Sequence, residues 1–254
     1  MQLGPQPLSH TCGVVILRDG DTNLRATTPL SCECGMLKDH RLFYQQFRAN
    51  FHSTGSIAPS SRWLARALAR YVPGERGGRR ILEVGPGTGA VTRWILPALA
   101  DGDALDLVEM NGEFVAHLRH RFENEPVFQP AASRVRILHQ AVEDLPASRG
   151  YDAVVSGLPL NNFSSALVER LLGTLVGLLA PGGTLSFFEY VAVRPAKVLV
   201  SRGSERTRLR EIGQHLGQML AGHEFHRECV LRNVPPAWVH HVRVTPPAVP
   251  RESA

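Results

Sequence analysis

The segment ILEVGPGTG, residues 81–89, places three glycines at alternate positions directly after an apolar run. A helix-like stretch, Ala90–Leu99, follows it. Glycine has no Cβ, so Gly85, Gly87 and Gly89 allow a ligand to approach the main chain and permit the positive φ of a tight turn. The segment predicts a strand, a ligand-binding glycine loop and a helix. The first hypothesis for the ligand is an adenosine-bearing cofactor.

The loop alone does not choose among such cofactors. Gly85, Gly87 and Ala90 also satisfy the dinucleotide fingerprint in its alanine variant. Glu83, at the end of the strand, favours a cationic cofactor over a dinucleotide, because a carboxylate there repels a pyrophosphate and attracts a cation. S-Adenosylmethionine carries a sulfonium and an ammonium but no phosphate, and it is therefore the predicted cofactor.

Further acids follow at the ends of two more predicted strands. The stretch ALDLVEM, residues 104–110, reads as a strand that ends in Glu109. A carboxylate at this place can accept hydrogen bonds from both hydroxyls of a ribose, which holds for NAD enzymes as well. A third strand, residues 134–139, leads to Glu143 and Asp144, a pair that by itself is equally well explained as two solvated acids in a turn.

Glu83 and the glycines after it, in the arrangement E-x-G-x-G-x-G, resemble the first motif of class I methyltransferases. In that family an acidic pair at the place of Glu143 and Asp144 meets the adenine amino group. Over residues 36–244 the chain looks more specifically like bacterial phospholipid N-methyltransferases, which methylate phosphatidylethanolamine, and like the related ornithine-lipid N-methyltransferases. The segments that carry this resemblance are SIAPSSRWLARAL, ILEVGPGTG, YDAVVSGLPLNNF, LAPGGTLSFFEY and NVPPAWVHHVR.

The alternation of predicted strands and helices indicates a parallel α/β sheet. The resemblance implies the Rossmann-like class I methyltransferase fold, with a seven-stranded, mostly parallel sheet, helices on both faces and an N-terminal amphipathic helical extension. It also implies an enzyme that transfers up to three methyl groups from S-adenosylmethionine to the primary amine of a membrane aminolipid, with no metal. The cofactor residues that we predict are Glu83, Gly85, Gly87, Thr88, Gly89, Glu109, Met110, Glu143, Asp144 and Ser156.

The segment after the fourth strand is the predicted place of methyl transfer. Main-chain carbonyls of Gly157 or Leu158, exposed by the turn that Pro159 makes, would aim the lone pair of the acceptor nitrogen. An ammonium must first lose a proton, so a base or relay is also required. The candidates are Tyr44, His52, Glu189 and Tyr190, although side chains of these types more often serve packing.

Two other functions stay open from the sequence. Ribosomal RNA adenine dimethylases carry an Asn-Leu-Pro-aromatic version of the acceptor motif, in which the side chains clamp and stack a flipped adenine. Here Gly157 replaces the asparagine and Leu160 the aromatic residue, while the following NNF, residues 161–163, would compensate in part. The second alternative is a membrane-surface protein that binds S-adenosylmethionine without turning it over.

Two amphipathic segments precede the glycine loop. In LKDHRLFYQQFRANF, residues 37–51, phenylalanines recur at i+4 spacing beside several cations. Such a helix either docks on the core or lies in a membrane interface. A second helix, predicted for residues 62–71, carries Arg62, Arg66 and Arg70 on one face, which is either solvated or a phosphate-binding surface.

Composition limits the partners. The net charge of +5 and the isoelectric point of about 9.4 favour anionic partners, either a phospholipid surface or nucleic acid. No apolar run approaches the roughly 18 residues of a spanning helix, and the four scattered cysteines indicate reduced thiols. We expect a cytoplasmic enzyme that is peripheral at the inner membrane face, binds an aminolipid and an anionic surface rather than nucleic acid, and needs no protein partner.

The predicted organisation has four parts. Residues 1–35 form a disordered extension, with Met36 as an alternative start. Residues 36–72 form N-terminal helices that face the membrane or substrate, residues 73–245 the methyltransferase core, and residues 246–254 a disordered tail. Within the core, the later predicted elements are a helix at 164–179, a strand at 184–191, a basic helix at 202–221, and strands at 229–233 and 238–244 joined through Pro235 and Pro236.

Overall fold

The structure is a computed structural model that describes residues 61–74, 77–146, 150–160, 163, 165–191, 217 and 221–243. These residues all belong to one compact unit, Ile57–Ala254. Several predictions lie outside the described residues: the extension at 1–35, the aromatic helix at 37–51, the candidates Tyr44 and His52, most of the basic helix at 202–221, and the tail at 246–254.

Four helices and seven strands make up the described unit. The helices are α1 (Arg62–Leu68), α2 (Thr92–Ile95), α3 (Gly112–Asn124) and α4 (Ser165–Gly177), and 3-10 turns lie at Leu96–Ala98, Gln129–Arg134 and Val142–Asp144. The strands are β1 (Arg80–Val84), β2 (Ala104–Glu109), β3 (Val135–His139), β4 (Tyr151–Ser156), β5 (Leu179–Tyr190), β6 (Glu224–Val230) and β7 (Ala237–Arg243).

The strands form one sheet in the order β3-β2-β1-β4-β5-β7-β6. Strands β1 to β5 are parallel, and β7 runs antiparallel to both β5 and β6. From β1 the chain moves outward in one direction to β3, whereas from β4 it moves in the other direction to β5. Because crossovers between parallel strands are almost always right-handed, these two opposite directions place helices on both faces of the sheet, as predicted.

The central strands are buried on both sides, and this explains their composition. Four consecutive residues of β1, from Ile81 to Val84, are buried, and β2 and β4 each bury four in a row. Continuous apolar runs are typical of parallel strands that helices cover on both faces. Glu83 in β1 and Asp106 in β2 are exceptions, because each is an acidic residue yet is buried within such a run.

The antiparallel end of the sheet carries α1. On this helix Leu64, Ala65, Ala67 and Leu68 are buried, while Arg62, Arg66 and Arg70 are exposed as predicted. The Ser61 side chain caps its N-terminus by accepting from the Leu64 amide at 3.2 Å.

The residues that follow the C-terminus of α1 contact β6 and β7. Arg70 donates twice to the Glu228 carboxylate, at 2.6 and 2.7 Å. Tyr71 packs edge-on against His241, whose Nδ1 lies 2.8 Å from the Ser186 hydroxyl oxygen. Burial lowers the pKa of His241 to about 4, so this contact is neutral at physiological pH. Arg70 therefore docks the end of this segment onto β6.

Several predicted helix boundaries were wrong. The helix after the glycine loop does not span Ala90–Leu99: α2 covers only Thr92–Ile95 and gives way to a 3-10 turn that contains Pro97, which has no amide hydrogen for an α-helical bond. Helix α1 ends at Leu68 rather than at residue 71, and α4 spans Ser165–Gly177 rather than 164–179.

The predicted bounds of β5, β6 and β7 also need correction. The predicted turn at residues 181–183 lies inside β5, where the register with β4 shifts between Tyr151 and Ala153 and where Gly182 has a φ of +79°. Strand β6 ends at Val230, whereas the prediction placed a strand at 229–233. Residues 231–236 instead form the hairpin turn, and β7 begins at Ala237, one residue before the predicted start.

Candidate active site

The glycine loop follows β1 as predicted, and its three glycines all have positive φ. The values are +68° for Gly85, +56° for Gly87 and +79° for Gly89. A Cβ at Gly85 would lie 2.7 Å from Leu158 Cδ2, whereas one at Gly87 would meet nothing within 4 Å. Gly85 is therefore needed for packing as well as for its backbone conformation. Gly87 leaves open space at the carboxyl edge of the sheet, where parallel α/β sheets bind ligands.

Glu83 lies beneath this loop with one carboxylate oxygen satisfied. Thr92 Oγ1, on α2, donates to Glu83 Oε2 at 2.7 Å. The other oxygen, Oε1, is buried and has no hydrogen-bond partner among the described residues. Burial raises the pKa of the Glu83 carboxyl to about 8, the Thr92 hydrogen bonds oppose this shift, and the nearby Glu109 adds to it. Burial thus disfavours the ionised form of Glu83, and a cation beside Oε1 would stabilise that form.

Glu109 ends β2 and contacts the loop directly. Its Oε2 accepts from the Gly87 amide at 3.1 Å, and its Oε1 accepts from the Asn111 amide at 2.8 Å. Burial raises its pKa, and these backbone hydrogen bonds counter the rise. The predicted ribose acid and the glycine loop thus form one contiguous site.

Arg121, on α3, braces the loop from outside. It donates to the Thr88 carbonyl oxygen, and its guanidinium lies 4.0 Å from the centroid of the Phe128 ring. Glu125, one helical turn later, holds it with two hydrogen bonds of 2.7 Å. The Thr88 main chain is therefore fixed by a side chain 33 residues away in sequence.

The remaining predicted cofactor residues surround the same edge of the sheet. Met110 follows β2 and is half-buried, and its carbonyl oxygen lies 3.1 Å from His139 Nε2. Glu143 and Asp144 lie in the 3-10 turn after β3: Asp144 is exposed, whereas both carboxylate oxygens of Glu143 are buried. Ser156 is fully buried at the end of β4.

The acceptor segment lies directly against the glycine loop. The Gly157 amide donates to the Val84 carbonyl oxygen at 2.8 Å, and a Cβ on Gly157 would lie 2.7 Å from the Gly85 carbonyl oxygen. Leu158 and Pro159 are buried. A side chain at position 157, asparagine included, would therefore require the glycine loop or this segment to shift.

Two of the candidate bases lie at the end of β5. Burial raises the pKa of the Tyr190 hydroxyl, so its neutral form dominates near pH 7 and it is a weak base. Glu189 Oε1 lies 3.5 Å from Nε2 of His240 on β7. Tyr44 and His52 lie outside the described residues.

Comparison with known proteins agrees with this arrangement. A family described as a methyltransferase domain matches residues 81–183. Over 150 residues the chain is 34% identical to an ornithine lipid N-methyltransferase from Singulisphaera acidiphila, a match that covers 59% of this chain and 77% of that protein. The chain belongs to the class I S-adenosylmethionine-dependent methyltransferases.

Two further comparisons define how far this relationship extends. Ribosomal RNA small subunit methyltransferase A from Synechococcus sp. strain RCC307 is 38% identical over 95 residues, which cover 37% of this chain and 32% of that protein. The crystal structure of the O-methyltransferase TomG from Streptomyces achromogenes, in complex with S-adenosylmethionine, superposes with a TM-score of 0.53 at 16% identity, covering 80% of this chain and 89% of that one. The second likeness confirms the fold.

The site of this methyltransferase fits S-adenosylmethionine. The unsatisfied Glu83 Oε1 favours a cation, Gly87 leaves space beside the main chain, and Glu109 places a carboxylate at the loop. When bound, the cofactor supplies a methyl group on a positively charged sulfur. Within the described residues, no cluster of three or more His, Cys, Asp or Glu side chains is arranged to hold a metal ion.

Two supporting residues were missed by the sequence analysis. Thr92 satisfies one oxygen of Glu83, and Arg121 fixes the Thr88 carbonyl. A polar residue on the helix that follows the loop was a usable signal for Thr92. Arg121 had none, because its partner is reached only through tertiary packing.

Replacing Glu109 with alanine should raise the dissociation constant for S-adenosylhomocysteine about tenfold or more, through the loss of roughly 1.5 to 3 kcal/mol of charge-assisted hydrogen bonding. Isothermal titration calorimetry measures this dissociation constant. Glu109→Gln removes the charge but keeps the size of the side chain, so it separates the two contributions to binding. Unchanged binding in Glu109→Ala would remove this residue from the site.

Proposed function

We propose that the protein is an N-methyltransferase that adds up to three methyl groups to the primary amine of a membrane aminolipid, either ornithine lipid or phosphatidylethanolamine. The observation that carries this proposal is the match to the ornithine lipid enzyme, which extends over 77% of that relative. The match to the ribosomal RNA enzyme covers only 32% of its relative. A shared cofactor-binding region accounts for the shorter match.

The acceptor segment supports an amine over a nucleobase. In the RNA enzymes the motif supplies an asparagine and an aromatic side chain, and here Gly157 and Leu160 stand in those places. An asparagine Cβ would clash with the Gly85 carbonyl oxygen, and Leu160 is fully buried. Main-chain carbonyls of residues 157 and 158 suit a small acceptor that needs orientation of one nitrogen rather than stacking of a ring.

The chain's part in the reaction is mainly positioning. Glu83 and Glu109 bind and orient the cofactor, and the segment around Gly157 aims the acceptor nitrogen. The lipid ammonium must first lose a proton, and the neutral amine would then take the methyl group and leave S-adenosylhomocysteine. The monomethyl and dimethyl products regain a lone pair by losing a proton, which permits up to three rounds, whereas the trimethyl product has no N–H proton left to lose. Of the four candidate bases, Tyr190 is disfavoured, because burial raises its pKa and keeps it neutral.

We further propose that the enzyme acts in the cytoplasm as a peripheral protein of the inner membrane face. The basic isoelectric point of about 9.4 supports an anionic surface as partner. None of the helices in the described part of the chain has the length and apolar character needed to cross a membrane.

Radiolabelled methyl transfer to separate substrates tests the proposal. We expect label from S-adenosylmethionine to enter vesicles that contain either ornithine lipid or phosphatidylethanolamine, and mass spectrometry of the lipid products to show one to three added methyl groups. Structured ribosomal RNA without bound protein is the matched negative substrate. Label in RNA alone supports the adenine alternative, and intact cofactor binding with no label in any acceptor supports the non-catalytic one.

A further inference from the structure

The turn between β6 and β7, residues 231–236, exposes apolar side chains that the cofactor site does not use. Leu231 is 74% exposed and Val234 is 86% exposed, and they are the two most exposed large hydrophobic residues in the described part of the chain. Isolated exposed aliphatic residues are common, but two on one hairpin tip form a local apolar protrusion.

A buried asparagine between them holds this turn in shape. Asn233 is only 4% exposed. Its Oδ1 accepts from the Ser61 amide at 3.1 Å, and its Nδ2 donates to the Pro235 carbonyl oxygen at 2.7 Å. The hairpin tip is thereby attached to the N-terminus of α1, while Leu231 and Val234, on either side of Asn233 in the chain, are exposed.

Two arginines, one from α1 and one from the hairpin, meet at Trp63. The guanidinium groups of Arg62 and Arg232 each lie 4.7 Å from the centroid of the Trp63 ring, so α1 and the hairpin form one surface. Both arginines are exposed. The sequence has no acidic residue between Glu228 and Glu252 or between Asp39 and Glu75, and Glu228 is paired with Arg70. We call Arg62, Trp63, Leu231, Arg232 and Val234 the hairpin surface.

Sheet topology places this surface at the cofactor edge. Ala237, the first residue of β7, pairs with Tyr190, the last residue of β5. Because β5 is parallel to β4 and β1, its carboxyl end lies at the edge where Gly85 and Gly157 follow those strands. The turn before β7 therefore projects from the same edge as the site of methyl transfer.

We propose that the hairpin surface is a membrane contact, in which Leu231 and Val234 enter the headgroup boundary of an anionic bilayer while Arg62 and Arg232 bind its phosphates. This inference rests on the proposed lipid substrate and specifies how the active edge reaches it. Aliphatic side chains at the centre and cations at the border match an anionic lipid surface, whereas RNA offers no apolar layer for Leu231 and Val234. A tryptophan between the two is typical of membrane interfaces.

Vesicle flotation tests the contact without relying on catalysis. The vesicles contain phosphatidylglycerol and phosphatidylcholine and no aminolipid, and the full chain is used. We expect the double variant Leu231→Ser/Val234→Ser to lose about tenfold or more in vesicle affinity, from the apolar area that no longer enters the bilayer. The variant Arg62→Gln/Arg232→Gln should lose a similar factor on these vesicles and nothing on pure phosphatidylcholine.

The control residues for these variants lie far from the hairpin, in the part of the chain between β2 and β3 at the opposite edge of the sheet. Val127 is 39% exposed and follows α3, and Arg119 is exposed on that helix. Val127→Ser and Arg119→Gln should bind vesicles like the unmodified protein, and all variants should keep their melting temperatures because the changed side chains are exposed.

The outcomes separate this inference from the proposed function. Unmodified protein that fails to float, hairpin variants that float normally, or controls that lose as much affinity would each overturn the membrane contact, as would hairpin variants that lose RNA binding but not vesicle binding. Selective loss of flotation in the hairpin variants confirms it. If that loss occurs while the unmodified protein methylates neither aminolipid, the contact stands and the proposed substrate is wrong.

Discussion

Replacing Glu83 with glutamine is expected to weaken S-adenosylhomocysteine binding by roughly ten to one hundredfold while making the ligand-free protein more stable at pH 8. The weaker binding follows from the unsatisfied Glu83 Oε1, which a ligand ammonium would neutralise and an amide would not. The gain in stability follows from the raised pKa, because glutamine removes a charge that is costly to bury.

The sign of the pH effect follows from the same pKa. Folding raises the pKa of Glu83 from 4.5 to about 8, so the folded protein holds the proton more tightly than the unfolded chain. The stability contributed by this group is complete below about pH 4.5 and is lost as the pH rises to about 8. At pH 8 the variant should therefore exceed the unmodified protein by about 2 kcal/mol in the free energy of unfolding, allowing for the weaker hydrogen bond from Thr92.

Calorimetry in two buffers of different ionisation enthalpy measures the linked proton. Near pH 6.5 ligand binding to the unmodified protein should release a proton as Glu83 ionises, and affinity should rise toward pH 8. Glu83→Gln should release none. Glu123→Gln, which removes an exposed charge on α3, is the control that should change neither property. Proton release that persists in Glu83→Gln would show that another group responds to the cofactor.

Replacing Gly157 with alanine is expected to abolish most methyl transfer. The added Cβ would lie 2.7 Å from the Gly85 carbonyl oxygen, and a main-chain atom cannot move aside as a flexible side chain can. The glycine loop or the acceptor segment must shift, which should cost about 1 to 3 kcal/mol in stability. We expect at least about a hundredfold loss in kcat/KM, because a displacement of about 1 Å in positioned groups has that effect.

Gly173→Ala is the matched control for this change. A Cβ at Gly173 meets nothing within 4 Å, and the residue is exposed within α4. Alanine there should stabilise the protein by up to about 1 kcal/mol and leave methyl transfer unchanged. Activity in Gly157→Ala equal to that of Gly173→Ala would mean that the close approach of the two segments is not needed for methyl transfer.

The hairpin illustrates a limit of sequence patterns. The segment NVPPAWV was distinctive, yet its first residue, Asn233, was assigned to a strand that actually ends at Val230. Asn233 binds the Ser61 amide, 172 positions earlier. Such a long-range hydrogen bond has no local signature, so neither the turn nor the exposure of its neighbours followed from the pattern.

The sequence by itself determined the class I fold, the glycine loop and the acids at the ends of β1 and β2. These features are local. Apolar runs make buried parallel strands, and glycine readily adopts the positive φ of the loop. Glu83 is the last residue but one of β1, and Glu109 is the last residue of β2. The tertiary structure decided what depends on packing between distant segments. It gave Glu83 its raised pKa through burial, excluded a side chain at Gly157 through the nearby Gly85 carbonyl, and attached α1 to the hairpin through Asn233.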